Sequence, residues 1–326
     1  MNFNAQDAYQ LCNWLDTSSD FPPSAPPPSG WSVVFAPAFS KANYAVILEN
    51  TQTNTQDANQ LAIVIMGTHY KVQVLEDFQI NKPGPFVNSS NSPIIPGAYI
   101  ANGAMSAFQK ILNLTPNGQT QTLEDFLESI PWLTPSVSAP SVLITGHSLG
   151  GTIASIMGPW LASLILEEAP LTESLPPNIQ VITFAAFAGG NLEFAEYLNN
   201  SSQYEANINV NDIVPYVWAT TGDYQVNKIY TTFRAPGPPI PESFKTMLQK
   251  KVSAIPSGFN YIQTNKPNIF TGTILAAPPF SGCKPSRIPD LQWEWELGLQ
   301  HNYAYCQQYI GSGCTQPRAE CPKDQQ

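Results

Sequence analysis

The stretch "VLITGHSLGGTIAS" (142–155) is an apolar run that stops at Gly146, presents His147 and Ser148, and resumes as a helix-compatible segment. Apolar residues in succession, without alternation, describe a strand buried on both faces, as in a parallel sheet. Gly146 and Gly150 lack a Cβ, so the backbone can turn sharply between strand and helix without a side-chain clash. A serine held in such a turn stands at the carboxyl end of the sheet, facing the free N–H groups of the helix that follows. Those groups point at the place where an oxyanion develops when a serine hydroxyl attacks a carbonyl. The pentapeptide GHSLG is moderate evidence alone, and a strand before it with a helix after it is the context that gives it weight.

A serine nucleophile needs a base, and the chain has three histidines. His147 is adjacent to Ser148, so its side chain leaves the turn in another direction, and His69 precedes the serine. His301, in "LGLQHNYAYC", lies late in the chain, as the order serine, acid, histidine requires. Twelve carboxylates separate Ser148 from His301. Among them Asp212, in "ANINVNDIVPYV", ends a strand-like run ahead of a turn proline, where it can orient the imidazole and stabilise its charged form. Asp223, in "TTGDYQ", is the competing acid.

The rest of the pattern agrees. Strands are expected at 44–50, 61–67, 141–146, 179–187 and 206–210, and helices at 98–112, at 122–130, after Ser148, and at 191–200, with Asn191 as N-cap. Strands alternating with helices of this length imply an α/β fold, a mainly parallel central sheet with helices on both faces. One domain spanning 1–326 is expected. The Pro-rich stretches near 20–30, 81–97 and 234–244 read as surface loops without regular elements. Leu149–Leu166 is 18 residues without a charge, but its glycines, Pro159 and its place after the turn mark a buried core helix rather than a membrane span.

Charged residues are 12% of the chain, about half of the roughly 25% usual for soluble domains, so Asn, Gln, Ser and Thr must supply much of the surface. The net charge of −10 repels a phosphate backbone, which argues against nucleic acid as a partner. Of five cysteines, Cys12 stands apart while Cys283, Cys306, Cys314 and Cys321 cluster late. Without a CxxC pair they do not suggest zinc. Two disulfides stapling 283–321 would fit an oxidising compartment, with reduced thiols in the cytoplasm as the alternative. The N-terminus shows no basic segment followed by an apolar run, hence no visible signal peptide.

At these residues the chain resembles the class 3, or fungal-type, lipases of the α/β-hydrolase fold. "GHSLGG" (146–151) is similar to that family's nucleophile motif, "VITFAAFAGGNLEFAEYL" (181–198) to its next strand and helix start, and "NDIVPYV" (211–217) to its acid segment. The resemblance covers roughly 40–220 and then His301. It implies a Ser148, Asp212, His301 triad, with Leu149 as one oxyanion donor through its backbone N–H. It also implies a second donor, Thr68 in "LAIVIMGTHY", and a lid over 69–80, whose Val72, Val74, Leu75, Phe78 and Ile80 supply an apolar face. Three departures from the family pattern stand at Met66 in place of an arginine, at "NGA" (102–104), and at Phe187 in place of a proline. A longer interval between acid and histidine points to an insertion within 225–290.

The expected activity is hydrolysis of carboxylic esters through an acyl-enzyme, with no metal or cofactor. Triacylglycerol lipase ranks first, with transient contact at a lipid interface and a secreted location. A short-chain or aromatic-acid (feruloyl-type) esterase and an acyltransferase share the same residues, and a non-catalytic member of the fold that binds lipid or protein is the reading from another class.

Overall fold

The structure is a computed structural model that describes residues 3–18, 20–38, 43–52, 60–67, 79–88, 90–132, 140–166, 170–172, 174–221, 240–264, 267–275, 280 and 283–317. Its frame is a seven-stranded sheet in the order β1 (Trp31–Phe35), β2 (Ala45–Asn50), β3 (Gln60–Ile65), β6 (Ser141–His147), β7 (Ile179–Phe184), β8 (Tyr204–Asn209) and β11 (Asn268–Phe270). β1, β2 and β3 pair antiparallel, and every later pair, from β3 with β6 to β8 with β11, is parallel. A mainly parallel sheet needs apolar cover on both faces, and the alternation of side chains along each strand supplies two separate cores.

Ala45, Ile47, Ile63, Ile65, Val142, Ile144 and Val181 point to one face, where α2 (Asn102–Leu112) and α4 (Leu149–Leu166) cover them. Val46, Leu48, Ala62, Val64, Leu143, Ile182 and Phe184 point to the other, where α1 (Ala5–Asp16) and α8 (Ala304–Tyr309) lie. Each fully buried Leu, Ile or Phe contributes about 1.5–3 kcal/mol, so this double layer is the main source of stability. α4 is the one helix among the described residues long and apolar enough to cross a membrane, and it is buried in the core on nearly every side. Gly158 permits that packing, since a Cβ there would sit 2.5 Å from a methyl of Val181.

Several expected boundaries move. β7 ends at Phe184 rather than 187 because Ala185 takes a left-handed φ of 52°, which breaks the extended run. The helix expected from 98 begins at Asn102, because Tyr99–Ala101 (β5) pairs antiparallel with Pro83–Pro85 (β4) inside the Pro-rich stretch read as loop. Proline tolerates this place because β4 is an edge strand, laddered on one side to β5 alone. The third Pro-rich stretch likewise runs into α6 (Glu242–Ser253), with Pro241 as its N-cap; residues 234–239 lie outside the described residues. Asn191 does precede α5 (Leu192–Asn200), but its side chain makes no cap bond. It instead accepts from the Tyr99 N–H and donates to the Gly97 carbonyl, tying two loops together.

The stretch 225–290, expected to be an insertion, contains β11, which extends the sheet beyond β8. A disulfide joins Cys306 to Cys314, and Cys283 is also disulfide-bonded, whereas Cys12 is a buried free thiol. Cys321 lies outside the described residues.

Candidate active site

The candidate nucleophile sits where the sequence puts it, at the turn from β6 into α4. Ser148 itself carries the left-handed conformation, φ 57°, which costs a non-glycine residue of order 1 kcal/mol. The surrounding backbone over-determines that turn: the Ser148 N–H donates to the Phe184 carbonyl at 2.9 Å, and the Ser148 carbonyl accepts from the Thr152 N–H at 3.1 Å. Gly146 and Gly150 are required by close approach rather than by positive φ. A Cβ on Gly146 would lie 2.3 Å from the Gly150 carbonyl carbon, and one on Gly150 would lie 2.3 Å from the Ile65 carbonyl oxygen. Leu149 opens α4, so its N–H is among those that a helix leaves without an internal acceptor.

Asp212 follows β8 at the same end of the sheet and is fully buried. Its Oδ1 accepts from the Val214 N–H at 3.0 Å, while its Oδ2 accepts from His301 Nδ1 at 2.8 Å and from the Tyr305 hydroxyl at 3.1 Å. A carboxylate only accepts, so Nδ1 of His301 carries the hydrogen and Nε2 keeps its lone pair, the tautomer a general base requires. His301 lies in a π-helical turn, Leu299–Tyr303, between α7 (Ile288–Gly298) and α8. Such a one-residue widening re-aims a side chain within an otherwise continuous helix.

Two residues around this pair escaped sequence reasoning. Tyr305, four residues after His301, stands on the same helical face; it donates to Asp212 and accepts from the Asn209 N–H at 2.9 Å. Burial, and then the Asp212 carboxylate, push its pKa well above the usual phenol value, so it remains a donor. The spacing in "HNYAY" was the signal available. Asp16, the last residue of α1, had no signal. Its Oδ1 accepts from the Gly67 N–H at 2.8 Å, and its Oδ2 lies 3.7 Å from Nδ1 of His147.

His147 is buried, and its Nε2 meets the backbone carbonyl of His301 at 2.6 Å, with the two rings 4.6 Å apart. Burial, reinforced by the neighbouring His301, holds the His147 imidazole well below its usual pKa of 6.5, so it is neutral. Burial also pushes the Asp16 carboxyl up to about 7, against the opposing pulls of the Gly67 N–H and of His301. The competing acid Asp223, the expected oxyanion donor Thr68, His69 and the lid segment lie outside the described residues, apart from Gln79 and Ile80; Ile80 is buried in the core. Met66, in place of the family's arginine, is buried with α1. Phe187, where the family has proline, is buried, and its N–H donates to the Thr152 hydroxyl. No group of His, Cys, Asp and Glu suited to a metal occurs among the described residues.

A strand, a serine elbow and a helix on a mainly parallel sheet, with an acid and histidine paired at the same sheet end, define an α/β-hydrolase. Residues 62–221 match the model of the class 3 lipase family, a family of carboxylic ester hydrolases. Among solved structures, the M37 lipase matches with a TM-score of 0.61 at 20% identity, over 86% of this chain and 79% of that one. A triacylglycerol lipase from Penicillium expansum matches at 0.46 and 16% identity over 68% and 73%, and the Rhizomucor miehei lipase in complex with its propeptide at 0.44 and 18% over 66% and 62%. No curated protein sequence matches the chain.

Proposed function

We propose that the chain is a triacylglycerol lipase that works through an acyl-enzyme on Ser148. The reading rests above all on the 2.8 Å hydrogen bond between buried Asp212 and His301, set beside a serine elbow of the family. His301 Nε2 takes the proton of the Ser148 hydroxyl as its oxygen attacks the ester carbonyl, then delivers it to the departing alcohol. Asp212 keeps the ring in the right tautomer and stabilises the imidazolium. The oxyanion is held by the N–H of Leu149 and by Thr68. Water, deprotonated through the same histidine, releases the fatty acid. Residues 69–80 act as the lid that meets the lipid interface, and the disulfide between Cys306 and Cys314 supports a secreted enzyme.

Hydrolysis of a chain-length series of soluble esters and of an emulsified triglyceride, with Ser148→Ala as the blank, tests this. The proposal requires triglyceride turnover that rises steeply once an emulsion forms. Cleavage of short or aromatic esters alone would make the chain an esterase, and preferred transfer to an added alcohol would make it an acyltransferase. A chain indistinguishable from its Ser148→Ala variant would be a binding member of the fold.

A further inference from the structure

We propose that Asp16 is a positioning residue for the triad, binding the N-terminal helix, the serine elbow and the backbone of His301 into one unit through a proton shared with His147. The inference rests on the triad assigned above. Its geometric basis is a continuous chain of contacts from Gly67 N–H to Asp16, from Asp16 to His147, and from His147 to the His301 carbonyl. One carboxyl thus meets the Gly67 N–H directly and reaches the His301 carbonyl through the His147 ring.

The position of the proton follows from the contacts. The His301 carbonyl only accepts, so Nε2 of His147 donates to it. Neutral His147 then presents the lone pair of Nδ1 to Asp16 Oδ2, across 3.7 Å. Two acceptors repel each other, so this contact closes only when the Asp16 carboxyl carries a proton and donates it to Nδ1. With the proton, Asp16 fixes the His147 ring and hence the carbonyl of His301. Without it, the brace is held at the Gly67 end alone.

The helix is built for this contact. Tyr9, Cys12 and Asp16 are spaced three and four residues apart and share one face of α1. Tyr9 meets the edge of the His147 ring, and the Cys12 thiol lies 3.2 Å from the Thr145 hydroxyl. Thr145 and His147 lie two apart on β6, so helix and strand meet residue for residue. Among the described residues, the titratable groups facing Asp16 are Tyr9 and Cys12 from its own helix, His147 from β6, and His301 from the π-helical turn; Tyr305 and Tyr309 of α8 stack behind Tyr9. Burial raises both Tyr9 and Cys12, so neither ionises near neutrality. His301 already has the Asp212 carboxylate in direct contact.

The test is steady-state hydrolysis of p-nitrophenyl butyrate from pH 6 to 9 by wild type, Asp16→Asn and Asp16→Ala. An asparagine keeps an oxygen for Gly67 and holds a permanent N–H toward Nδ1 of His147. The kcat ratio of Asp16→Asn to wild type cancels the titrations the two proteins share. It is expected near one at pH 6 and to rise severalfold as the pH passes about 7. Asp16→Ala is expected to lose about tenfold in kcat, with KM within about twofold, as misplaced catalytic groups do. A ratio that stays flat or falls with pH overturns the proposal, and it remains decisive if Asp16→Ala does not fold. All three proteins are first titrated with a p-nitrophenyl phosphonate: a wild type that takes up none overturns the triad and the brace with it, while equal labelling and equal pH profiles overturn the brace alone.

Discussion

Ser148, within residues 141–166, is held by backbone contact, whereas His301, within residues 288–309, is held by hydrogen bonds to side chains from elsewhere in the chain, Asp212 and His147. In the first region Gly146 and Gly150 sit where any Cβ would collide with main-chain atoms, and α4 is buried almost throughout. In the second, His301 depends on Asp212, Asp212 on Tyr305 and Val214, and the His301 carbonyl on His147. The difference teaches where damage should appear. Changes at the elbow act on folding, while changes around the histidine act on chemistry in a molecule that stays folded.

The largest effect is expected at the acid. Asp212→Asn removes the acceptor that fixes the His301 tautomer, and kcat should fall by about 10³–10⁴ with a melting temperature within a few degrees of wild type. Stopped assays beside a calorimetric scan would read both, and loss of fold together with activity would break the contrast. Next, Gly150→Ala forces a Cβ into the Ile65 carbonyl and should cost about 4 kcal/mol or more, seen in urea unfolding or as insoluble protein. A soluble Gly150→Ala chain of normal stability would show that the elbow is not set by close packing.

The smallest expected effect sharpens the boundary between the regions, where Asp16 reaches across it. Its folded pKa, about 7, lies above the roughly 3.9 of an unfolded aspartate. Its contribution to stability is therefore complete below about pH 4 and is lost as the pH rises through about 7. Asp16 keeps 24% of its side chain exposed, which tempers the cost to about 2 kcal/mol. Relative to Asp16→Asn, wild type should thus weaken by that amount between pH 4 and 8, measured by urea midpoints. A constant difference across that range would remove Asp16 from the account.

Legibility in the sequence follows the same division. The elbow could be read because strand, glycines and helix are contiguous, and local pattern carries the whole arrangement. Asp212 and His301 could be proposed from type, order and the strand that precedes the acid, but their contact spans 89 residues and only folding brings it about. α1 carries Ala8, Leu11, Cys12 and Leu15 at helical spacing, but that pattern marks only an apolar face, and the approach of Asp16 to His147 spans 131 residues that only folding brings together. The edge strand β11 is three residues with Ile269 largely exposed, too short for a pattern. The Pro-rich stretch at 81–97 misled because proline opposes sheets in general, yet tolerates a short ribbon.

The central claim is that Ser148 is a nucleophile activated by the pair of His301 and Asp212. Its most direct test is peptide mapping after brief exposure to a p-nitrophenyl phosphonate, for wild type, Ser148→Ala and His301→Ala. The account predicts one adduct per wild-type chain, on Ser148, none on Ser148→Ala, and labelling of His301→Ala slower by several orders of magnitude. An adduct on another residue, or His301→Ala labelled as fast as wild type, would contradict it.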